Sequence, residues 1–333
     1  MALLFETLPG QEMPMPQVES ALAKMWAVER EAPGIDALPS EYRASQMNLI
    51  LHFGLETEEA EANALFQTAL GFARRYPCRI VVLCPSDEGD AEPHHRAKLF
   101  SQCYVGRGLR QRTCCEALML RYHLHEADFL DNMVSIWLEN DLPTSYYCYK
   151  IPPAKIEAHL LEFVRKCRRV LYDSSVETED LSAVAWPQPA LVRDLARARL
   201  LPLRQSLGQF LSGTPPSALC EGLTTVRLDA SERMRGEGRN LLAWVGDCLE
   251  GCARASGIGS TFQTQFEARP GDDAHLSMEW TYASSDKHLE WTLDRETESA
   301  SLTADFGTGR VSFSLHAGFL SPEKTLAEAC FFD

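Results

Sequence analysis

Residues 47–85 read MNLILHFGLETEEAEANALFQTALGFARRYPCRIVVLCP. Met47 to Phe53 is a short apolar run of strand length. Thr57 can cap a helix whose first turn carries Glu58 and Glu59, which is favourable against the helix dipole. That helix runs to about Tyr76, with Leu65, Ala69, Phe72, Ala73 and Tyr76 on one stripe, and Pro77 stops it. Arg79 to Leu83 forms the next strand. Strand, helix and strand with short links make a βαβ unit, expected to be parallel and right-handed.

The flanking sequence extends the pattern. Upstream, Pro16 to Arg30 reads as a helix with Val18, Leu22, Met25 and Trp26 on one face. Downstream, Leu99–Val105, Cys115–Tyr122, Thr144–Tyr149 and Val170–Tyr172 read as strands. Phe129–Trp137 and Pro153–Cys167 read as helices. The expected result is a sheet of five or six strands flanked by helices, an α/β fold occupying residues 1–186 with an N-terminal helical extension.

Val176 to Pro189 reads as a linker. Residues 187–333 then read as a helical segment followed by an α+β domain. Pro202 should break or kink the first helix of that segment, and a second helix covers about Gly238 to Cys252. Four alternating runs follow, carried by Leu276–Tyr282, Leu289–Leu293, Leu302–Phe306 and Val311–Leu315. Period two with short turns predicts an antiparallel meander with one buried face. Ser321 to Ala329 would close the chain as a helix.

The 333 residues carry 32 basic and 47 acidic side chains, a net charge of −15. A general nucleic-acid coat needs excess positive charge to displace counterions, so that class is set aside. No signal peptide and no apolar run of membrane-spanning length is read, and a cytoplasmic location is expected. The eleven cysteines are odd in number and irregularly spaced, which favours reduced thiols.

Cys78 and Cys84 bracket one strand, so strand rise separates them by roughly 20 Å. A disulfide needs Cα atoms within about 7 Å, so these two read as packing groups. Cys248 and Cys252 share a helix face with Leu241, Val245 and Leu249, which favours core packing. His123 and His125 form an H-x-H pair at a strand end, the weak candidate for a metal. After the first strand, GLETEEA puts carboxylates where a dinucleotide site would place glycines and phosphate. No Walker loop, G-x-S-x-G or H-E-x-x-H is present. No catalytic constellation, cofactor or bound metal is assigned.

Two basic clusters stand against the acidic background: Arg107, Arg110 and Arg112 in RGLRQR, and Arg165, Arg168 and Arg169 in RKCRR. With Arg121 they could bind an acidic partner or a phosphorylated metabolite. Asp173-Ser174-Ser175 follows a strand, where α/β proteins often bind ligands. These residues support an alternative class, a sugar-phosphate or nucleotide binder with an arginine-lined site.

Several stretches, taken in order, resemble one family. They are LPGQEMPMPQVESALAKMW, MNLILHF with the TEEAEANALFQTALGFARRYPCRIVVL that follows, CEALMLRY, DNMVSIWLENDLPTSYYCY, RRVLYDSS, DLARARLLPLRQSLGQF and RNLLAWVGDCL. The family is the glucose-6-phosphate dehydrogenase assembly or subunit protein, OpcA. Tyr76 stands where the family usually has histidine. Tyr146, Tyr147, Arg197 and Leu203 stand where it has tryptophan. The resemblance implies a non-catalytic partner of glucose-6-phosphate dehydrogenase in the oxidative pentose phosphate pathway, promoting assembly or activation of that enzyme's oligomer.

Overall fold

The computed structural model describes residues 4–30, 45–87, 95–105, 112–139, 141–259, 262–271 and 274–332. Contacts divide the chain into two units. The first contains Met1–Tyr172, Glu177–Arg193 and Ala329–Asp333; the second contains Asp173–Val176 and Asp194–Glu328.

The first unit is built on an eight-stranded sheet. Its strands are β1 (Gln11–Met13), β2 (Met47–Phe53), β3 (Cys78–Ser86), β4 (Arg96–Val105), β5 (Arg112–His123), β6 (Thr144–Tyr149), β7 (Arg169–Tyr172) and β8 (Val192–Asp194). The order is β1-β4-β5-β3-β2-β6-β7-β8. β5, β3, β2, β6 and β7 are mutually parallel, while β4 runs antiparallel between β1 and β5. The sheet exceeds the expected five or six strands because β1 and β8 span three residues each, too short for any alternation to show.

Both faces of β2 are buried, as its unbroken burial along Met47–Phe53 requires. One face carries Ile50, Val81, Leu83, Leu118, Leu120 and Tyr146, packed with Val18 and Leu22 of helix Val18–Arg30 and with Leu130, Ile156 and Phe163. The side chains of Met25 and Trp26 lie outside the described residues. Helix Glu59–Arg75 connects β2 to β3.

Glu58, not Thr57, stands at the N-cap of that helix. The Glu61 carboxylate accepts the Glu58 backbone N–H at 2.9 Å, a capping box that displaces the threonine, whose side chain is buried. The expected helix from Pro153 to Cys167 is broken into Pro153–Lys155, a π-turn at Ile156–Leu160, and Leu161–Arg165. The stretch read as a linker is part of the core. Leu181, Val184 and Trp186 are buried, and the Trp186 indole donates to the Leu181 carbonyl at 2.9 Å.

Cys78 and Cys84 are buried thiols in β3, raised above the ordinary thiol pKa by burial. The expectation of reduced cysteines fails at Cys103, which is disulfide-bonded. Sequence spacing hides this, because it is the antiparallel β4–β5 register that puts Cys103 opposite Cys114.

The second unit holds a six-stranded sheet, with strands β9 (Leu223–Ser231), β10 (Gln263–Arg269), β11 (Leu276–Tyr282), β12 (His288–Asp294), β13 (Ser299–Asp305) and β14 (Val311–His316). The order is β10-β9-β11-β12-β13-β14, and the expected meander β11 to β14 is antiparallel. β9 and β10 extend it as a parallel pair joined by helix Arg235–Ala255. Gly238 permits that helix to approach closely: a Cβ there would lie 2.9 Å from Ala230 Cβ and from the Phe266 ring. Met278, Trp280, Leu289, Trp291 and Leu302 form the core face.

The helix before this sheet breaks at Leu200, where Leu195–Arg199 ends and Leu201–Leu211 begins with Pro202 in its first turn. Two expectations are corrected here. Val311 and Phe313 are exposed, because β14 is an edge strand. Cys248 is also exposed, so it is not a core residue.

Candidate functional site

The parallel strands of the first unit fill from β2 outward in one direction through β3 to β5, then in the other through β6 to β7. Strand order therefore reverses between β2 and β6, the position where open α/β sheets place their ligands. A cavity of about 140 Å³ opens at the carboxyl ends of these strands.

Its polar floor comes from three strands. His52 is 1% exposed near the end of β2. Tyr122 on β5 and Tyr146 on β6 approach it from opposite sides. The Tyr146 hydroxyl lies 2.6 Å from His52 Nδ1, and the Tyr122 hydroxyl lies 2.6 Å from His52 Nε2. Burial holds the His52 pKa down at about 3, so the ring is neutral at physiological pH. Burial also pushes both tyrosines above the ordinary phenol range, so both keep their protons. His52 and Tyr122 line the cavity.

The walls are mostly apolar, with Phe53, Ala127, Ile151 and Leu160 among them. The π-turn Ile156–Leu160 brings Leu160 and His159 to the cavity; such turns recur at functional sites because the extra residue re-aims side chains. His159 Nδ1 contacts Asp128 Oδ1 at 2.8 Å. Lys150 donates to the Glu61 carboxylate at 2.7 Å.

The crevice is shut at backbone level between β2 and β6. Gly54 donates its N–H to the Tyr149 carbonyl at 2.7 Å. A Cβ on Gly54 would lie 1.7 Å from the Lys150 carbonyl oxygen, so only glycine fits. Lys150 itself adopts φ 53°, and its N–H donates to Glu177 Oε1 at 3.0 Å.

Of the arginines singled out from sequence, none of those whose side chains are described lines this cavity. Arg107 and Arg110 lie outside the described residues, as does the side chain of Arg112, whose backbone is in β5. Arg121 is buried in β5 and donates to Ser86 Oγ at 3.2 Å. Arg165 is exposed and pairs with Glu162 at 3.1 Å. Arg168 is exposed and Arg169 half-buried, at the start of β7. Four strand spacings separate β5 from β7, about 19 Å. His123 is buried at the end of β5, and the side chain of His125 lies outside the described residues. Among the described residues no group of three metal-ligating side chains gathers.

Asp173, Ser174 and Ser175 belong to the second unit, in a buried polar cluster. Arg199 pairs with Asp173 and, at 2.7 Å, with Glu237. Asp194 accepts from the Ser174 N–H at 3.1 Å and from Asn240 at 2.6 Å. Burial raises the pKa of both Asp194 and Glu237. A Cβ on Gly236 would lie 2.6 Å from the Ser175 nitrogen, so this segment lies directly on the helix start. The cluster reads as the fastening of a strand-end segment to the helix Arg235–Ala255.

His52, Tyr122 and Tyr146 escape a sequence reading because each sits in an apolar run that reads as core. The available signal is positional: three polar rings near the carboxyl ends of strands that flank the reversal.

The topology and cavity define an α/β protein with its crevice at the strand-order reversal, coupled in one chain to a second unit on its own sheet. Residues 69–186 match the family model of the glucose-6-phosphate dehydrogenase subunit N-terminal domain, the OpcA assembly family. Two curated relatives bear the name putative OxPP cycle protein OpcA. The one from Synechocystis is 25% identical over 183 residues, covering 52% of this chain and 37% of the relative. The one from Synechococcus elongatus is 32% identical over 104 residues, covering 31% of this chain and 23% of the relative. The match thus spans well under half the length of either. Among solved structures, the 3-ketoreductase KijD10 from Actinomadura kijaniata aligns at a TM-score of 0.40 and 10% identity. That alignment covers 85% of this chain and 89% of the reductase, and likeness at this level carries no argument about activity.

Proposed function

We propose that this chain is a non-catalytic partner of glucose-6-phosphate dehydrogenase, promoting assembly or activation of that enzyme's oligomer in the cytoplasmic oxidative pentose phosphate pathway. The observation that carries the reading is the match of residues 69–186 to the subunit domain. The local chemistry agrees with it. The helix that follows β2 has Glu58 at its N-cap and Glu59 and Glu61 in its first turn, where a nucleotide-binding enzyme of this topology would receive phosphate.

The mechanism is a population shift: binding the assembled or active dehydrogenase more tightly than the inactive form favours the former. A coupling of about 1–3 kcal/mol changes affinity or activity by roughly 5–150-fold. Co-purification with the cognate dehydrogenase, and its kinetics with and without this protein, test the reading. Stable association with a change in dehydrogenase activity is the expected result; neither association nor a kinetic change rejects it. A thermal shift with sugar phosphates, without any dehydrogenase effect, would instead favour a metabolite-binding protein.

A further inference from the structure

The His52 ring and its two tyrosines fix the direction of a hydrogen-bond chain. A neutral imidazole has one donor and one acceptor nitrogen. If Nδ1 carried the proton, it would donate to Tyr146, whose own hydroxyl proton would then need another acceptor. Tyr146 is fully buried, and His52 is the hydroxyl's hydrogen-bond partner. A buried donor left without an acceptor costs more than the bond it replaces. The favoured arrangement therefore has Tyr146 donating to Nδ1 and Nε2–H donating to the Tyr122 oxygen. The Tyr122 proton is then left over. Tyr122 is 2% exposed and lines the cavity, so that proton is the donor its buried floor presents, with Lys150, Lys155 and His159 elsewhere in the lining.

From this we propose that the cavity binds a small, neutral, ring-shaped molecule carrying one hydrogen-bond acceptor, a carbonyl or carboxamide, received by the Tyr122 hydroxyl. The argument has three parts. The walls formed by Phe53, Ala127, Ile151 and Leu160 favour an apolar ring. The floor supplies a single oriented donor, and the charged residues of the lining are of both signs: Glu56, Lys155 and Lys150, which is paired with the Glu61 carboxylate. The adjoining helix start carries carboxylates, which disfavours a phosphorylated ligand. The proposal stands independently of any role with the dehydrogenase, since it concerns binding by this chain alone.

Benzamide is the probe, with toluene as the acceptor-free comparison and inorganic phosphate as the anionic one. Two-dimensional spectra of ¹⁵N-histidine-labelled protein should show His52 protonated on Nε2. Benzamide should perturb those ring signals on titration. Tyr122→Phe, which keeps the ring and removes the donor, should weaken benzamide about fivefold, the worth of one hydrogen bond. Toluene should bind both proteins equally. A His52 proton on Nδ1 would overturn the proposal on the wild-type protein alone, whatever the variant's stability. So would benzamide binding unchanged by Tyr122→Phe, no benzamide binding up to its solubility limit, or displacement of benzamide by phosphate.

Discussion

Gly54 and His52 lie two residues apart and answer to different constraints. Gly54 is required by contact: any Cβ would collide with the Lys150 carbonyl, and backbone cannot yield as a side chain can. Gly54→Ala should cost about 3 kcal/mol, the upper end of typical overpacking penalties, measured by chemical denaturation. His52 is constrained by charge. Its folded pKa of about 3 lies below the ordinary histidine value, so the unfolded chain binds a proton that the native state refuses. Stability is therefore full above about pH 6.5 and falls as pH drops toward 3, by up to about 1.4 kcal/mol per pH unit. Denaturation of the wild type and of His52→Phe across this window should show a shallower acid slope in the variant. Parallel slopes would mean the ring titrates normally.

At the scale of elements, the two units contain buried ionic clusters with different chemistry. In the first, Arg79 at the start of β3 holds Glu116 on β5 and, at 2.6 Å, Glu139, and donates to the Trp137 carbonyl at 2.9 Å. Asn48 in β2 also bonds this loop, donating to the Glu139 carbonyl at 3.0 Å and accepting its N–H at 3.1 Å. The starts of two strands are thus tied to one connecting segment. Arg79→Met removes the guanidinium that pairs with the buried Glu116 carboxylate and should cost about 3–5 kcal/mol by denaturant melts.

In the second unit, burial raises the pKa of Asp194 and Glu237. The sign is opposite to that of His52. Between the unperturbed and the raised pKa, the native state holds protons that the unfolded chain has released, so stability declines as pH rises through that window. Glu237→Gln should flatten this decline; an unchanged pH profile would show that Glu237 does not titrate there. Expectations about elements hold where periodicity is long, as at β2, helix Glu59–Arg75 and the meander. They fail at β1, β8 and the Leu181–Trp186 stretch, where too few residues carry the pattern.

At the scale of the whole molecule, the chain crosses between its units more than once. Ala329–Asp333 returns to the first unit, where Phe331 stacks on Phe72 at 6.1 Å and meets Tyr76 at 4.9 Å, with Cys330 buried. Deleting residues 329–333 should therefore destabilise the first unit by about 2 kcal/mol, the worth of about one buried apolar side chain. A melt in which Trp137 fluorescence reports the first unit would detect it. Among the described residues no helix is long and apolar enough to cross a membrane.

The sequence by itself determined the βαβ start, most of the strands and the absence of a glycine-rich phosphate loop, because each is written in local periodicity, a proline or a run of carboxylates. Tertiary structure alone decided the site. His52 reaches Tyr122 and Tyr146 across 70 and 94 residues of chain, and only the parallel register of β5, β3, β2 and β6 brings those rings together. Burial then sets the charge of His52, and burial is a property that neighbours in space confer.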